Sequence, residues 1–164
     1  MKTKGVPAEW VKRRRNLPHW QFGGATYFVT FRSSRGVLPN RALRTLLTVI
    51  AEEHGKRCFV HLALAMPDHC HMLLTPLPDH EGTYFELGSI LKSIKGSSAR
   101  AINLDLKRSG SVWQKESYDR VIRNSDEFRH TWRYIWLNPV RWGLVENEED
   151  YSLVFFSVDE GWWL

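Results

Sequence analysis

Two histidines, His69 and His71, flank a single cysteine inside the apolar run 62–74. Met66, Pro67 and Asp68 divide that run into two short strands, and on a strand residues two apart face the same way. Both imidazoles can therefore meet one divalent ion seated on a rigid backbone. The same alternation also suits two histidines packed, or simply wetted, on one sheet face. By itself the pair leaves both uses open.

A second group lies downstream. Tyr134 and Asn138 are four residues apart in a stretch with helical periodicity, and His130 stands one turn earlier on the same line. This row is roughly 120° around the helix from the apolar stripe Phe128, Trp132 and Ile135. Tyr134 is thus set apart from the core by its position. Tyr118 is the other tyrosine to weigh. It has no ligand-type partner one helical turn away, and its strand-like surroundings predict packing.

These groups need a scaffold, and the pattern supplies one. Residues 25–32 read as a strand rich in aromatic and β-branched side chains, between Gly23-Gly24 and the Ser33, Ser34, Gly36 cluster. Asn40 is expected to cap a helix with Leu43, Leu46, Leu47 and Ile50 on its inner face, closed by Gly55. Residues 58–65 and 69–75 form an antiparallel pair ended by Pro76 and Pro78. Thr83 and Glu86 read as a capping box for a helix burying Leu87, Ile90, Leu91 and Ile94. A strand over 118–122 follows, then a helix capped by Asn124 with Glu127 and terminated by Pro139. The order β, α, β, β, α, β, α predicts an α+β fold, an antiparallel sheet covered by helices in a ferredoxin-like arrangement.

At 164 residues, with 43% hydrophobic and 25% charged content, the chain suits one compact domain. We expect a basic arm over 1–20, the domain over 21–145 and an acidic tail over 146–164. The only cysteines, Cys58 and Cys70, suggest neither a disulfide framework nor a cysteine-rich zinc site. No apolar stretch is long enough to span a membrane, so a cytoplasmic location is expected.

The net charge of +5 is unevenly spread. Lys2, Lys4, Lys12, Arg13, Arg14 and Arg15 crowd the first twenty residues, whereas the last nineteen hold Glu146, Glu148, Glu149, Asp150, Asp159 and Glu160 with no lysine or arginine. The body before that tail is strongly basic, which suits a polyanion such as nucleic acid. The arm read alone is a solvated charge run. Phe155, Phe156, Trp162 and Trp163 make the tail either a last packing segment or a cover for the basic surface that competes with DNA.

With these residues in view, the chain resembles the single-tyrosine HUH transposases, most closely the REP-associated tyrosine transposases. His69 and His71, followed by Tyr134-Ile-Trp-Leu-Asn138-Pro-Val, carry the resemblance. Pro18-His-Trp-Gln21, Tyr27-Phe-Val-Thr-Phe-Arg32, Met66-Pro-Asp-His69, Ile94-Lys-Gly96, Val112-Trp-Gln114, Asp119-Arg-Val-Ile-Arg123 and Asn138-Pro-Val-Arg-Trp-Gly-Leu-Val145 extend it over residues 17–145. The resemblance implies a metal-dependent endonuclease and strand transferase acting on single-stranded DNA near a hairpin through a 5′-phosphotyrosine link. Tyr134 would be the nucleophile, and His69, His71 and Asn138 the ligands of Mg2+ or Mn2+. Cys70 departs from the bulky apolar residue of the family motif, and a buried thiol serves as a small apolar group.

The chemistry asks for such groups. A phosphodiester repels nucleophiles, and a divalent ion lowers that barrier. A phenol of pKa about 10 must lose its proton during attack, and His130 or a metal-bound water could take it. Arg13, Arg14, Arg15, Lys92, Lys95 and Arg100 are candidates for holding DNA phosphates, contacts that position without reading sequence. Two other readings stay open: a non-cleaving hairpin DNA- or RNA-binding protein, and a metal nuclease or phosphatase that uses water. The resemblance further implies a bacterial, nucleoid-associated protein, monomer or homodimer.

Overall fold

The computed structural model describes residues 24–157, together with the backbone of 11–13 and 19–21. The latter form a two-stranded antiparallel hairpin, β1 (Val11–Arg13) with β2 (His19–Gln21). Arg14 and Arg15 lie outside the described residues, as does the side chain of Arg13. So do residues 158–164, with Asp159, Glu160, Trp162 and Trp163.

The main body runs β3 (Tyr27–Ser33), α1 (Asn40–Glu53), β4 (Cys58–Met66), β5 (His69–Pro76), α2 (Leu87–Asp105), β6 (Trp113–Val121), α3 (Ser125–Trp136), the single-turn α4 (Asn138–Arg141) and β7 (Val154–Phe156). The five strands stand in the order β6-β3-β5-β4-β7, every neighbouring pair antiparallel. Without β7 this is the ferredoxin-like order, reached because α1 and α2 carry the chain over non-adjacent strands while β4 and β5 join directly. No helix among the described residues is long and apolar enough to cross a membrane.

Alternation along the strands splits the interior into two layers. Tyr27, Val29 and Phe31 of β3 and Cys70, Met72 and Leu74 of β5 face α1 and α2, which bury Leu43, Leu46, Ile50, Ile90 and Ile94 against them. Phe28, Leu62, Leu64, Met66 and Leu73 face the other way, onto Ile135, Phe128, Trp132 and Trp136 of α3. The two-residue period therefore commits His69 and His71 to the α3 side and Cys70 to the α1/α2 core, where the thiol is fully buried.

A bulge in β4 keeps both layers filled. Val60 pairs with Leu74 and Leu62 with Leu73, so His61 is the extra residue. Its Nε2 bonds Thr75 Oγ1 at 2.8 Å, Thr75 bonds Thr26 at 2.7 Å, and its ring stands 5.1 Å from Phe128. Burial, and then the nearby His54, push the His61 pKa down to about 4.

Three local expectations are corrected. Helix α1 is capped by Pro39, whose extended backbone (ψ 152°) leads into the first turn, and Asn40 makes no capping hydrogen bond. Thr83 and Glu86 form no capping box. Thr83 instead closes a turn, accepting from Asp79 N and donating to Asp79 Oδ1, while Pro78 bridges Tyr84, so the helix waits until Leu87. The tail boundary at 145 also fails: β7 adds a fifth strand to the edge of β4, Leu153 is buried, and Tyr151 Oη donates to Ala65 O at 2.7 Å. The described part of the tail packs at the sheet edge farthest from β6. By contrast, Asn124 does cap α3, accepting from Glu127 N at 2.8 Å.

Candidate active site

A neighbouring strand holds one histidine from behind and the β4–β5 turn holds the other. His71 lies opposite Thr30 of β3, and its Nδ1 is 2.7 Å from Thr30 Oγ1. His69 Nδ1 donates to Asp68 Oδ1 at 2.6 Å, and the other Asp68 oxygen is 3.6 Å from Arg32, the residue paired with His69 across the sheet. With both Nδ1 atoms engaged, the two Nε2 atoms point at each other, 3.2 Å apart. Burial above all, then the charges of His69 and Arg32, push the His71 pKa down to about 3, so its ring is neutral and keeps a lone pair for a ligand.

Helix α3 brings the phenol across. The Tyr134 ring centroid is 5.8 Å from that of His71 and 6.1 Å from that of Phe28, which is itself 5.5 Å from His71. Tyr134 remains 42% exposed, open to a substrate. The Arg141 guanidinium sits 5.3 Å over its ring, and Trp142 lies 5.5 Å from His69. The shared-helix expectation for Tyr134 and Asn138 needs a correction. The longer helix ends at Trp136, and Asn138 opens α4 because Pro139, with no N–H and a fixed φ, fits the first turn of a new helix better than the middle of an old one.

The donor set fits a divalent cation. Asn138 is almost fully buried, yet its Oδ1 has no hydrogen-bond partner. An orphaned acceptor of that kind is costly unless something positive meets it. Two opposed Nε2 atoms, each with its Nδ1 held by an oxygen, have the backing that metal-ligating histidines require. Among the described residues no three His, Cys, Asp or Glu side chains gather into a metal cage, so a third protein ligand here has to be of another type. His69, His71 and Asn138 are the residues that could hold the ion.

Beside Tyr134 opens a cleft of about 490 Å³ lined by Arg120, Arg123, Asn124, Glu127, His130, Thr131 and Tyr134. Arg120 bonds Glu127 and Thr131 and also stands 5.4 Å over Phe28, while Arg123 bonds Glu127 through both backbone and side chain. These arginines, with Arg32 and Arg141, bring positive charge to the histidine face. Lys92, Lys95 and Arg100 are not brought there. Their helix, α2, covers the opposite layer because its apolar stripe packs on Tyr27, Val29 and Phe31, and Lys95 Nζ donates to Lys115 O and Ser117 Oγ at the β6 edge. Tyr118 overturns the packing expectation: it is 57% exposed on the histidine face, paired with Thr30 and 6.1 Å from Phe28.

A ferredoxin-like sheet that faces two histidines toward a tyrosine on its covering helix is the arrangement expected from the transposase motifs. The particular relatives agree. The chain is 28% identical over 139 residues to the REP-associated tyrosine transposase of Escherichia coli K12, covering 84% of this chain and 79% of that one. Its fold matches a solved REP-associated tyrosine transposase bound to a REP hairpin, with a TM-score of 0.71 and 24% identity over 86% of this chain and 82% of that one. No protein-family model matches the chain. The resemblance to REP-associated tyrosine transposases is borne out in sequence and in fold.

Proposed function

We propose that this protein is a metal-dependent endonuclease and strand transferase for single-stranded DNA, acting beside a hairpin through a covalent tyrosyl intermediate. One observation carries the reading: an accessible phenol, Tyr134, stands 5.8 Å from a histidine whose Nε2 is paired with a second one and backed by Thr30 and Asp68. The similarity to transposases, one of them solved with a hairpin, supports the substrate class.

His69, His71 and Asn138 would hold Mg2+ or Mn2+, which when bound supplies positive charge to the scissile phosphate. The chain's own groups do the rest. Arg120 and Arg123 line the cleft and draw the phosphate backbone to Tyr134, where Arg141 over the ring restrains its orientation. Tyr134 Oη attacks phosphorus, and its proton passes to a base, for which His130 in the same cleft is available. The bond from phosphorus to the 3′ oxygen breaks, and that oxygen leaves as a hydroxyl after taking up a proton. The 5′-phosphate remains on Tyr134, which preserves the bond energy for rejoining to the same or a new 3′-hydroxyl.

The test is a 5′-phosphotyrosine adduct. Labelled hairpin DNA with single-stranded flanks is incubated with protein and Mn2+ and run on a denaturing gel. A labelled protein band that vanishes in Tyr134→Phe, with hairpin binding kept, is expected. Cleavage to a free 5′-phosphate with no such band would replace this reading by a nuclease that uses water, and binding without cleavage by a non-catalytic hairpin binder.

A further inference from the structure

We infer that Tyr118 is a base-stacking residue, seating a nucleotide of the single strand next to the one presented to Tyr134. The inference builds on the proposed single-stranded substrate and does not depend on the cleavage chemistry.

Large aromatic side chains that stay exposed on a sheet face, beside cations, are suited to unpaired bases, because every base offers a ring to stack on. Tyr118 has this setting. It projects from β6, an edge strand of the five-stranded sheet, on the same face as the histidines, and is 57% exposed. Its strand partner Thr30 is the residue that holds His71. Its ring meets Phe28 edge-on, with 71° between the planes, and Tyr134 meets the same Phe28 edge-on, at 87°. Phe28, buried between the strands and α3, thus contacts both the nucleophile and Tyr118, each 6.1 Å away. The Arg120 guanidinium, 5.4 Å over the same Phe28, supplies positive charge beside them for the connecting phosphate. A strand lying in the cleft therefore meets the nucleophile, the Arg120 cation and, two residues along β6 from that cation, the exposed ring of Tyr118.

The experiment uses full-length Tyr134→Phe protein, which binds but does not cut, and a DNA hairpin with thymidine flanks carrying 2-aminopurine at one flank position at a time. Quenching of the probe at one or two neighbouring positions on binding is expected. Tyr118→Ala should abolish that quenching and weaken binding about tenfold, within the range for losing one stacked base, while Tyr118→Phe and Tyr118→Trp restore both. Absence of quenching at every position would overturn the inference, as would quenching and affinity unchanged in Tyr118→Ala. A loss in Tyr118→Phe equal to that in Tyr118→Ala would overturn it too, by making the hydroxyl and not the ring the working part. Loss of the covalent adduct in wild-type protein would instead strike the proposed chemistry and leave these readouts intact.

Discussion

Asp68 Oδ1 accepts the Nδ1 proton of His69 at 2.6 Å, while its other oxygen faces Arg32 at 3.6 Å. The carboxylate therefore fixes both the tautomer and the rotation of the imidazole, turning Nε2 toward His71 as the atom that would meet a metal ion. Removing such a partner commonly weakens metal affinity 10- to 100-fold. Asp68→Ala is expected to show that loss in a calorimetric titration with Mn2+, with the fold retained by circular dichroism. An unchanged titration would mean that His69 does not bind the ion.

Asn138 gives a prediction of opposite character. Its buried Oδ1 is unpartnered, so Asn138→Ala removes an acceptor that the metal-free fold does not use. Melting of the metal-free variant should stay close to wild type. Saturating Mn2+ should stabilise wild type by about 2.7 kcal/mol at one hundred times its dissociation constant, and should stabilise the variant far less. Equal metal-induced shifts would exclude Asn138 as a ligand.

Arg120 faces the cleft with its guanidinium braced by Glu127 and Thr131. If it meets a phosphate, Arg120→Gln should weaken hairpin binding uniformly across sequences and lower the slope of log affinity against log salt by about one. Fluorescence anisotropy at several salt concentrations reads both. A changed affinity with an unchanged slope would argue for a packing role.

His61 predicts a pH dependence of stability. Its folded pKa is near 4 against an ordinary value of 6.5, so the unfolded chain takes up the proton first. The contribution is complete above pH 6.5 and is lost as the pH falls toward 4, amounting to about 3 kcal/mol. Urea denaturation across that window should show a shallower acid loss in His61→Gln than in wild type. Parallel curves would mean that His61 is not held neutral by the fold.

The histidine and tyrosine positions could be read from the chain because each rests on a local period: two residues for His69 and His71, and four for His130 and Tyr134. The Asn124 cap was equally local. What supports them was hidden, since Thr30 reaches His71, Phe28 reaches Tyr134, and Arg120 reaches Glu127 only through strand register and layer packing. Tyr118 was misjudged for the same reason. Alternation places it on a face, but only the assembled sheet shows that no helix covers it there. The Thr83 and Asn40 caps failed because a turn and a proline respectively claimed the backbone first. Strand β7 was masked by the acidic residues before it, which suggested a solvated tail.

The extra residue in β4 acts as a phase shifter. Before His61 the odd and even positions serve one assignment of faces, and after it they serve the reverse, so that Val60 and Ala63 share a layer although three apart. Losing His61 itself would leave Val60 and Leu62 as successive residues opposite Leu74 and Leu73 with both faces kept, whereas losing any other β4 position would reverse the faces of one half of the strand unless the bulge were absorbed. The layer beneath α3 and the layer beneath α1 and α2 thus depend on the residue count on either side of His61, and insertions or deletions elsewhere in β4 fall under a far stricter constraint than substitutions do.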